Sequence, residues 1–161
     1  MSSHITLQDF HVKALADYGI NDSWPEAVLK EAKTKEEHIT KEIDALETFP
    51  FVTIDGEDAK DFDDAIFCKF SDHGFHLKVA IADVSFYVKE GSAIDLEAAK
   101  RTTSVYMPKK VVPMLPEKLS NELCSLQPNK RRRCLCIEMD FDKDGYISCD
   151  KFQRGIIKSV A

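Results

Sequence analysis

The chain has 161 residues, with 22 Lys and Arg against 28 Asp and Glu and a formal net charge of −6. Hydrophobic residues make up 43% and charged residues 31%, an ordinary balance that excludes a disordered or collagen-like chain and leaves enough apolar side chains for a core. No stretch approaches the roughly 18 apolar residues of a membrane span, and Met1-Ser2-Ser3-His4 lacks the basic and apolar stretches of a secretory signal.

The first 50 residues read as helical. Leu7, Phe10, Ala14, Leu15 and Tyr18 follow helical spacing, and Gly19 marks a stop. Ser23-Trp24-Pro25-Glu26 has the pattern of a capping box, with Pro25 in the first turn of a second helix. Thr34-Lys35-Glu36-Glu37 repeats the pattern and predicts a third, charged helix. Residues 20–48 are rich in Glu and Lys with a sparse apolar face, and read as a surface arm or linker.

Pro50 marks a change of texture. Phe51 to Ile54 and Ala65 to Phe70 are β-prone, and Ser71-Asp72-His73-Gly74 reads as a hairpin turn. Phe75, Leu77, Val79 and Ile81 alternate with His76, Lys78, Ala80 and Ala82, the period of a half-buried strand. A helix is expected over 92–104, capped by Ser92 or Asp95. Prolines 108, 113, 116 and 128 predict a loop over 107–128 with one short helix at 117–123. Cys134 to Phe141, the turn 142–145 and Tyr146 to Ile157 form a closing hairpin. The fold class expected is α+β: N-terminal helices, then a mixed or antiparallel sheet with flanking helices. The chain stops at Ser159-Val160-Ala161 without a polar tail, which reads as an interrupted end.

The most informative stretch is Asp55-Gly56-Glu57-Asp58-Ala59-Lys60-Asp61-Phe62-Asp63-Asp64, in which six of ten residues are carboxylates. Two carboxylates about 5 Å apart repel by roughly 1–3 kcal/mol at effective dielectrics of about 80 to 20. Several such pairs on one loop call for a hard divalent cation with oxygen ligands, Mg²⁺ above all. Gly56 is expected to permit the turn that folds the loop back, and Phe62 to anchor it inward. Asp55 and Asp64 then reach one ion and Asp61 and Asp63 a second, the two-metal clamp of in-line phosphodiester hydrolysis. A merely solvated acidic loop is the plain alternative.

The block Thr53 to Ala65 resembles the catalytic loop of the ribonuclease II / ribonuclease R family, the RNB domain, and within it the bacterial ribonuclease R branch. The resemblance continues in order through Val79-Ala80-Ile81-Ala82-Asp83-Val84-Ser85, Thr103-Ser104-Val105-Tyr106-Met107-Pro108, Pro113-Met114-Leu115-Pro116, Leu119-Ser120-Asn121 and Leu123-Cys124-Ser125-Leu126. It implies a processive 3′→5′ exoribonuclease that releases nucleoside 5′-monophosphates with Mg²⁺, Mn²⁺ being a possible substitute. The family's four catalytic aspartates fall on Asp55, Asp61, Asp63 and Asp64. Asp55 and Asp64 are expected as direct ligands, Asp61 and Asp63 as the second metal site or as orienters of the attacking water. The family's base-stacking tyrosine falls on Tyr106, for which a packed core tyrosine is the alternative.

By the same resemblance, residues 1–49 are a helical linker arm and residues 50–161 the N-terminal part of a truncated RNB catalytic domain. Cold-shock domains would precede it, and the rest of the RNB domain and an S1 domain would follow. The missing part would supply an arginine, a glutamate and an aromatic to the site, so the isolated stretch is expected to have little or no activity. Its partners would be single-stranded or structured RNA and the remainder of its own chain, with no membrane.

A net acidic chain argues mildly against nucleic acid, but the charge is segregated. Nine basic and two acidic residues lie between Lys100 and Arg133. Within Lys130-Arg131-Arg132-Arg133, Arg131 and Arg132 are the candidates for phosphate contact, a solvated turn being the alternative. Asp140-Phe141-Asp142-Lys143-Asp144-Gly145 opens like an EF-hand loop, but Lys151 stands where the bidentate Glu belongs. Five cysteines, an odd number with only Cys134 and Cys136 close together, predict buried thiols, no disulfide framework and a reducing cytoplasm. Serine nucleophiles lack a histidine partner, and no glycine-rich phosphate loop is present. An RNA-binding or assembly module without catalysis is the competing reading, and a calcium regulator built on 140–151 a third.

Overall fold

The computed structural model describes residues 6–37, 39 and 44–161. Helix α1 (Leu7–Asp17) opens with a reciprocal Thr6–Asp9 capping box. It closes where Gly19 turns left-handed at φ 63°, with Ile20 N–H reaching Leu15 O at 2.8 Å and Gly19 N–H reaching Ala16 O at 3.2 Å. These two bonds satisfy the last carbonyls of the helix, as expected of a glycine stop.

Helix α2 (Glu26–Thr34) starts after Pro25, but the capping box read at Ser23–Glu26 does not form. Asn21 Oδ1 instead accepts from both the Ser23 N–H and hydroxyl, at 3.0 and 2.7 Å. The helix ends where Lys35 turns extended, so the third helix read at Thr34 does not begin there. The rest of that element lies largely outside the described residues. The arm is also more than surface. Val28, Ala32 and Leu46 are buried in the main core with Phe51, Ala65 and Ile94. Two apolar positions four residues apart suffice because helix α4 (Ala93–Arg101), itself capped by Ser92, supplies the facing wall. Arg101 completes the attachment, stacked 3.6 Å over the Trp24 ring and donating to Ser23 O at 2.6 Å.

A five-stranded sheet carries the rest, in the order β1-β7-β6-β3-β2, with β1 (Asp44–Ala45) parallel to β7 (Ile147–Lys158). Strands β2 (Asp64–Ser71), β3 (Gly74–Ala82), β6 (Arg131–Asp142) and β7 pair antiparallel. The mixed sheet and its flanking helices are the α+β arrangement expected. Gly74, at φ 145°, has no room for a side chain: a Cβ would sit 1.9 Å from Phe141 O. Phe51–Ile54 contributes only a single bridge, Val52 to Ile66.

The alternation read for β3 is real, and the covered face is the one with the smaller apolar side chains. Lys78, Ala80 and Ala82 lie on the buried face, opposite Glu138, Cys136 and Cys134. Phe75 and Ile81, with Phe70, Leu135 and Phe152 from neighbouring strands, stand on the other face and are exposed. The small residues Ala80 and Ala82 belong to the main core cluster with Val28, Ala32 and Ile94 of the helices. Lys78 is tolerated there because its ammonium, 2% exposed as a side chain, meets Glu138 Oε2 at 2.6 Å and lies 4.4 Å over the Phe49 ring.

After β3 come a short helix, α3 (Val84–Tyr87), and then α4. The proline-rich stretch is more ordered than its composition predicts. It holds a two-stranded hairpin, β4 (Val105–Met107) with β5 (Lys110–Val112), turned at Pro108-Lys109 with Lys109 at φ 59°. A π-helical turn, α5 (Lys118–Leu123), follows at the place expected for a short helix, its end marked by Cys124 N–H to Leu119 O at 2.8 Å.

Candidate functional site

The acidic loop leaves the Val52 bridge and re-enters the sheet at Asp64, the first residue of β2. Asp55, Asp61, Asp63 and Asp64 line one cleft of about 850 Å³. Tyr106 and Lys109 from the β4–β5 hairpin and Asn121 from α5 form its opposite side. The four aspartates and the tyrosine singled out in the sequence therefore share one space.

Phe62 turns inward and packs against the core, as read from the sequence. Gly56 does not play the part expected of it. Its backbone is not left-handed, and a Cβ there would meet nothing within 4 Å, so the turn closed by Ala59 N–H to Gly56 O at 3.0 Å does not require glycine. The later half of the loop is pinned from outside. The buried Ser125 hydroxyl donates to Lys60 O at 2.6 Å and accepts from Phe62 N–H at 3.1 Å. Leu126 N–H reaches Phe62 O and Ala82 N–H reaches Asp63 O, each at 2.9 Å.

The carboxylates feel one another. Loss of water on its protein side pushes the Asp63 carboxyl above its ordinary range, and the charges of Asp61, Asp64 and Asp55 push it further. The Tyr106 hydroxyl donates to Asp61 Oδ2 at 2.6 Å, and that bond, more than burial, raises the phenol above its usual value. Among the described residues, no three carboxylate, imidazole or thiol groups stand close enough to close around a metal ion as placed.

The two arginine candidates lie elsewhere. Arg131 forms a two-pronged pair with Glu47, at 2.6 and 3.1 Å. Arg132 is buried, donating to Ser125 O at 3.0 Å, Glu37 Oε1 at 2.6 Å and Arg131 O at 3.0 Å, which leaves it no face for a phosphate. Neither lines the cleft. The guanidinium is spent on holding the fold because the basic cluster begins a core strand instead of a solvated turn.

Residues 140–142 end β6 and 143–146 turn the chain into β7, with Asp142 Oδ1 accepting from the Asp144 and Tyr146 N–H groups at 2.9 Å each. That turn joins two strands, unlike the helix pair of an EF-hand. Cys124, Cys134 and Cys136 are free buried thiols. His76 lies between Asp140 at 2.6 Å and Glu138 at 3.2 Å rather than on the open surface.

Two residues with evident duties escaped the sequence reading. Ser125 grips the loop from 63 residues away. Asp83, 1% exposed, accepts from the Ser85 hydroxyl at 2.8 Å and faces Arg154 Nε at 3.3 Å. Both stand inside the blocks quoted above, but nothing in their local spacing marks a task.

Residues 43–161 match the RNB domain. Over 150 residues the chain is 49% identical to ribonuclease R of Acidithiobacillus ferrooxidans, a match covering 91% of this chain and 34% of that protein. The structure of Mycoplasma genitalium RNase R in complex with ribose methylated single-stranded RNA is similar at TM-score 0.87 and 39% identity, covering 93% of this chain and 24% of that one. The same protein in complex with double-stranded RNA gives TM-score 0.88 at 39% identity, covering 93% of this chain and 28% of that one. The chain thus spans about a third or less of the length of these relatives. Sequence, fold and the order of its motifs agree, and the chain belongs to the RNB-domain family.

Proposed function

We propose that this chain is the first part of the catalytic domain of a Mg²⁺-dependent, processive 3′→5′ exoribonuclease that releases nucleoside 5′-monophosphates. The observation that carries the reading is the cleft shared by Asp55, Asp61, Asp63, Asp64 and Tyr106. The donor set suits a hard divalent cation: all four side chains offer oxygen, and a cation would offset both the burial and the neighbouring charges that hold Asp63 above its usual pKa. Asp55 and Asp64 would hold one ion, with Asp61 and Asp63 completing a second site or orienting water. Bound Mg²⁺ or Mn²⁺ would supply a water that ionises near neutral pH and charge stabilisation on the scissile phosphate.

The chain's own groups do the rest. Asp63, with its raised pKa, is the carboxylate best suited to accept a hydrogen bond from an attacking water. Tyr106 presents a ring that is 65% exposed, with its hydroxyl tethered, so a terminal base of any identity can stack on it. Single-stranded RNA, and structured RNA with a free 3′ end, fit such a platform. The carboxylates as placed do not gather three deep around one point, which supports the expectation that the chain by itself has little or no activity. The free thiols of Cys68, Cys124, Cys134 and Cys136 support a reducing, cytoplasmic setting.

The test is a chimera. Residues 50–161 replace the matching stretch of Mycoplasma genitalium RNase R, and 5′-monophosphate release from RNA is followed with Mg²⁺. Release that vanishes with Asp64→Asn supports the reading. A folded, inactive chimera contradicts it and favours a module that binds RNA without cleaving it.

A further inference from the structure

Three carboxylates of the acidic loop fall within four residues, 61 to 64, so their relative placement depends on a short length of main chain. That length is held by a side chain from outside the loop. A serine hydroxyl has one proton to give and lone pairs to receive. Ser125 uses both on the two sides of Asp61: its proton goes to Lys60 O at 2.6 Å, and its oxygen takes Phe62 N–H at 3.1 Å. The residue is fully buried, so water cannot replace either bond. The next residue, Leu126, continues the grip through its N–H to Phe62 O at 2.9 Å.

Ser125 is itself braced. Its carbonyl accepts from Arg132 Nε at 3.0 Å, and the same guanidinium is fixed by Glu37 at 2.6 Å. A rigid planar fork suits this task better than a flexible ammonium. The line Glu37–Arg132–Ser125–Asp61 runs from the arm to the cleft, and Tyr106 holds Asp61 from the far side.

We infer that Ser125 is the positioning residue of the acidic loop, braced by Arg132, and that its hydroxyl sets the relative placement of the Asp61, Asp63 and Asp64 carboxylates. This rests on the reading that those carboxylates hold divalent ions. Loss of a group that orients metal ligands typically costs about 10- to 100-fold in metal affinity.

The test uses the whole 161-residue chain and three readouts: Mn²⁺ titration, hydrogen exchange of the 60–64 segment without metal, and thermal melting. Ser92→Ala is the control. That serine caps α4, its hydroxyl accepting from Asp95 N–H at 3.3 Å, and it touches neither the loop nor Leu126. Ser125→Ala is expected to weaken Mn²⁺ binding by about tenfold or more and to speed exchange over 60–64. Ser92→Ala is expected to lower the melting temperature by loss of the cap while leaving both other readouts at the wild-type level. Ser125→Cys keeps the volume with a weaker donor and acceptor, and gives a smaller change in the same direction if the alanine variant does not fold.

Wild-type exchange over 60–64 in the Ser125 variants overturns the inference, as does an equal loss of Mn²⁺ affinity in Ser92→Ala. If the wild-type chain binds no Mn²⁺, the metal reading fails on its own, and with it the functional half of the inference. The exchange comparison still decides whether Ser125 holds the loop.

Discussion

The Tyr106 hydroxyl donates to Asp61 Oδ2 at 2.6 Å, and this bond joins the β4–β5 hairpin to the acidic loop. It separates two roles of one side chain: the hydroxyl is committed, while the ring is 65% exposed. Tyr106→Phe should therefore keep most of the single-stranded RNA binding, and Tyr106→Ala should lose it. Stacking is worth about 1–3 kcal/mol per base, roughly a 5- to 150-fold loss in affinity. Fluorescence anisotropy with a labelled oligonucleotide measures it, and equal binding by the alanine variant would count against a stacking role.

Asp63 carries a burden in the metal-free chain. Its pKa is raised in the fold, by burial first and by the charges of Asp61, Asp64 and Asp55 next, so stability that is complete below the unfolded carboxyl value is lost as pH rises through the folded one. Asp63→Asn should raise the melting temperature of the metal-free chain at neutral pH and yet weaken divalent-cation binding. Lowering the pH toward the acidic range should shrink the difference in melting temperature. A variant less stable than wild type at pH 7 would show that the burial and repulsion of this carboxylate have no thermodynamic weight.

The buried acids of the core predict alkaline lability. Burial pushes the thiols of Cys124 and Cys134 from 9.0 to about 12 and the Tyr87 phenol from 10.0 to about 12. The unfolded chain releases these protons near their ordinary values, and the folded chain holds them longer. Their stabilisation is complete below the unfolded values, where every group is protonated, and is lost progressively as pH rises from 9 toward 12. A pH series of denaturant melts should show a plateau and then a fall in that window. In the native chain at neutral pH, iodoacetamide should label the exposed Cys68 and spare Cys124 and Cys134, as read by peptide mapping.

Lys78 offers a sharper stability test. Its ammonium is almost wholly enclosed, and Glu138 is its ion-pair partner. Glu138→Ala should cost about 3 kcal/mol by leaving a cation stranded in the core. Lys78→Met, which removes the charge and keeps the stem, should cost less. Chemical denaturation ranks the two, and the reverse order would mean that the pair itself supplies the stability.

Chemistry was more legible than geometry in this sequence. Six carboxylates between two strands have few readings, so the 55–64 loop stood out before any fold was known. Strand periodicity was equally plain, but alternation names two faces without saying which one is covered. In β3 the structure covers Ala80 and Ala82, which join the core cluster with Val28, Ala32 and Ile94 of the helices. Prolines hid the β4–β5 hairpin, since Pro108 serves its turn rather than breaking the strands. Arg132 and Ser125 were out of reach for another reason. A basic run and a lone serine gain their tasks from partners 95 and 65 residues away, and no local pattern carries that information.

The most direct test of the site is a Mn²⁺ titration of the chain, followed by electron paramagnetic resonance, with one aspartate changed at a time. Binding should drop sharply for Asp55→Asn, Asp61→Asn, Asp63→Asn and Asp64→Asn, and should be unchanged for Asp144→Asn in the β6–β7 turn. If Asp144→Asn abolishes the signal while the loop variants keep it, the ions sit at the far hairpin and the cleft is not a metal site.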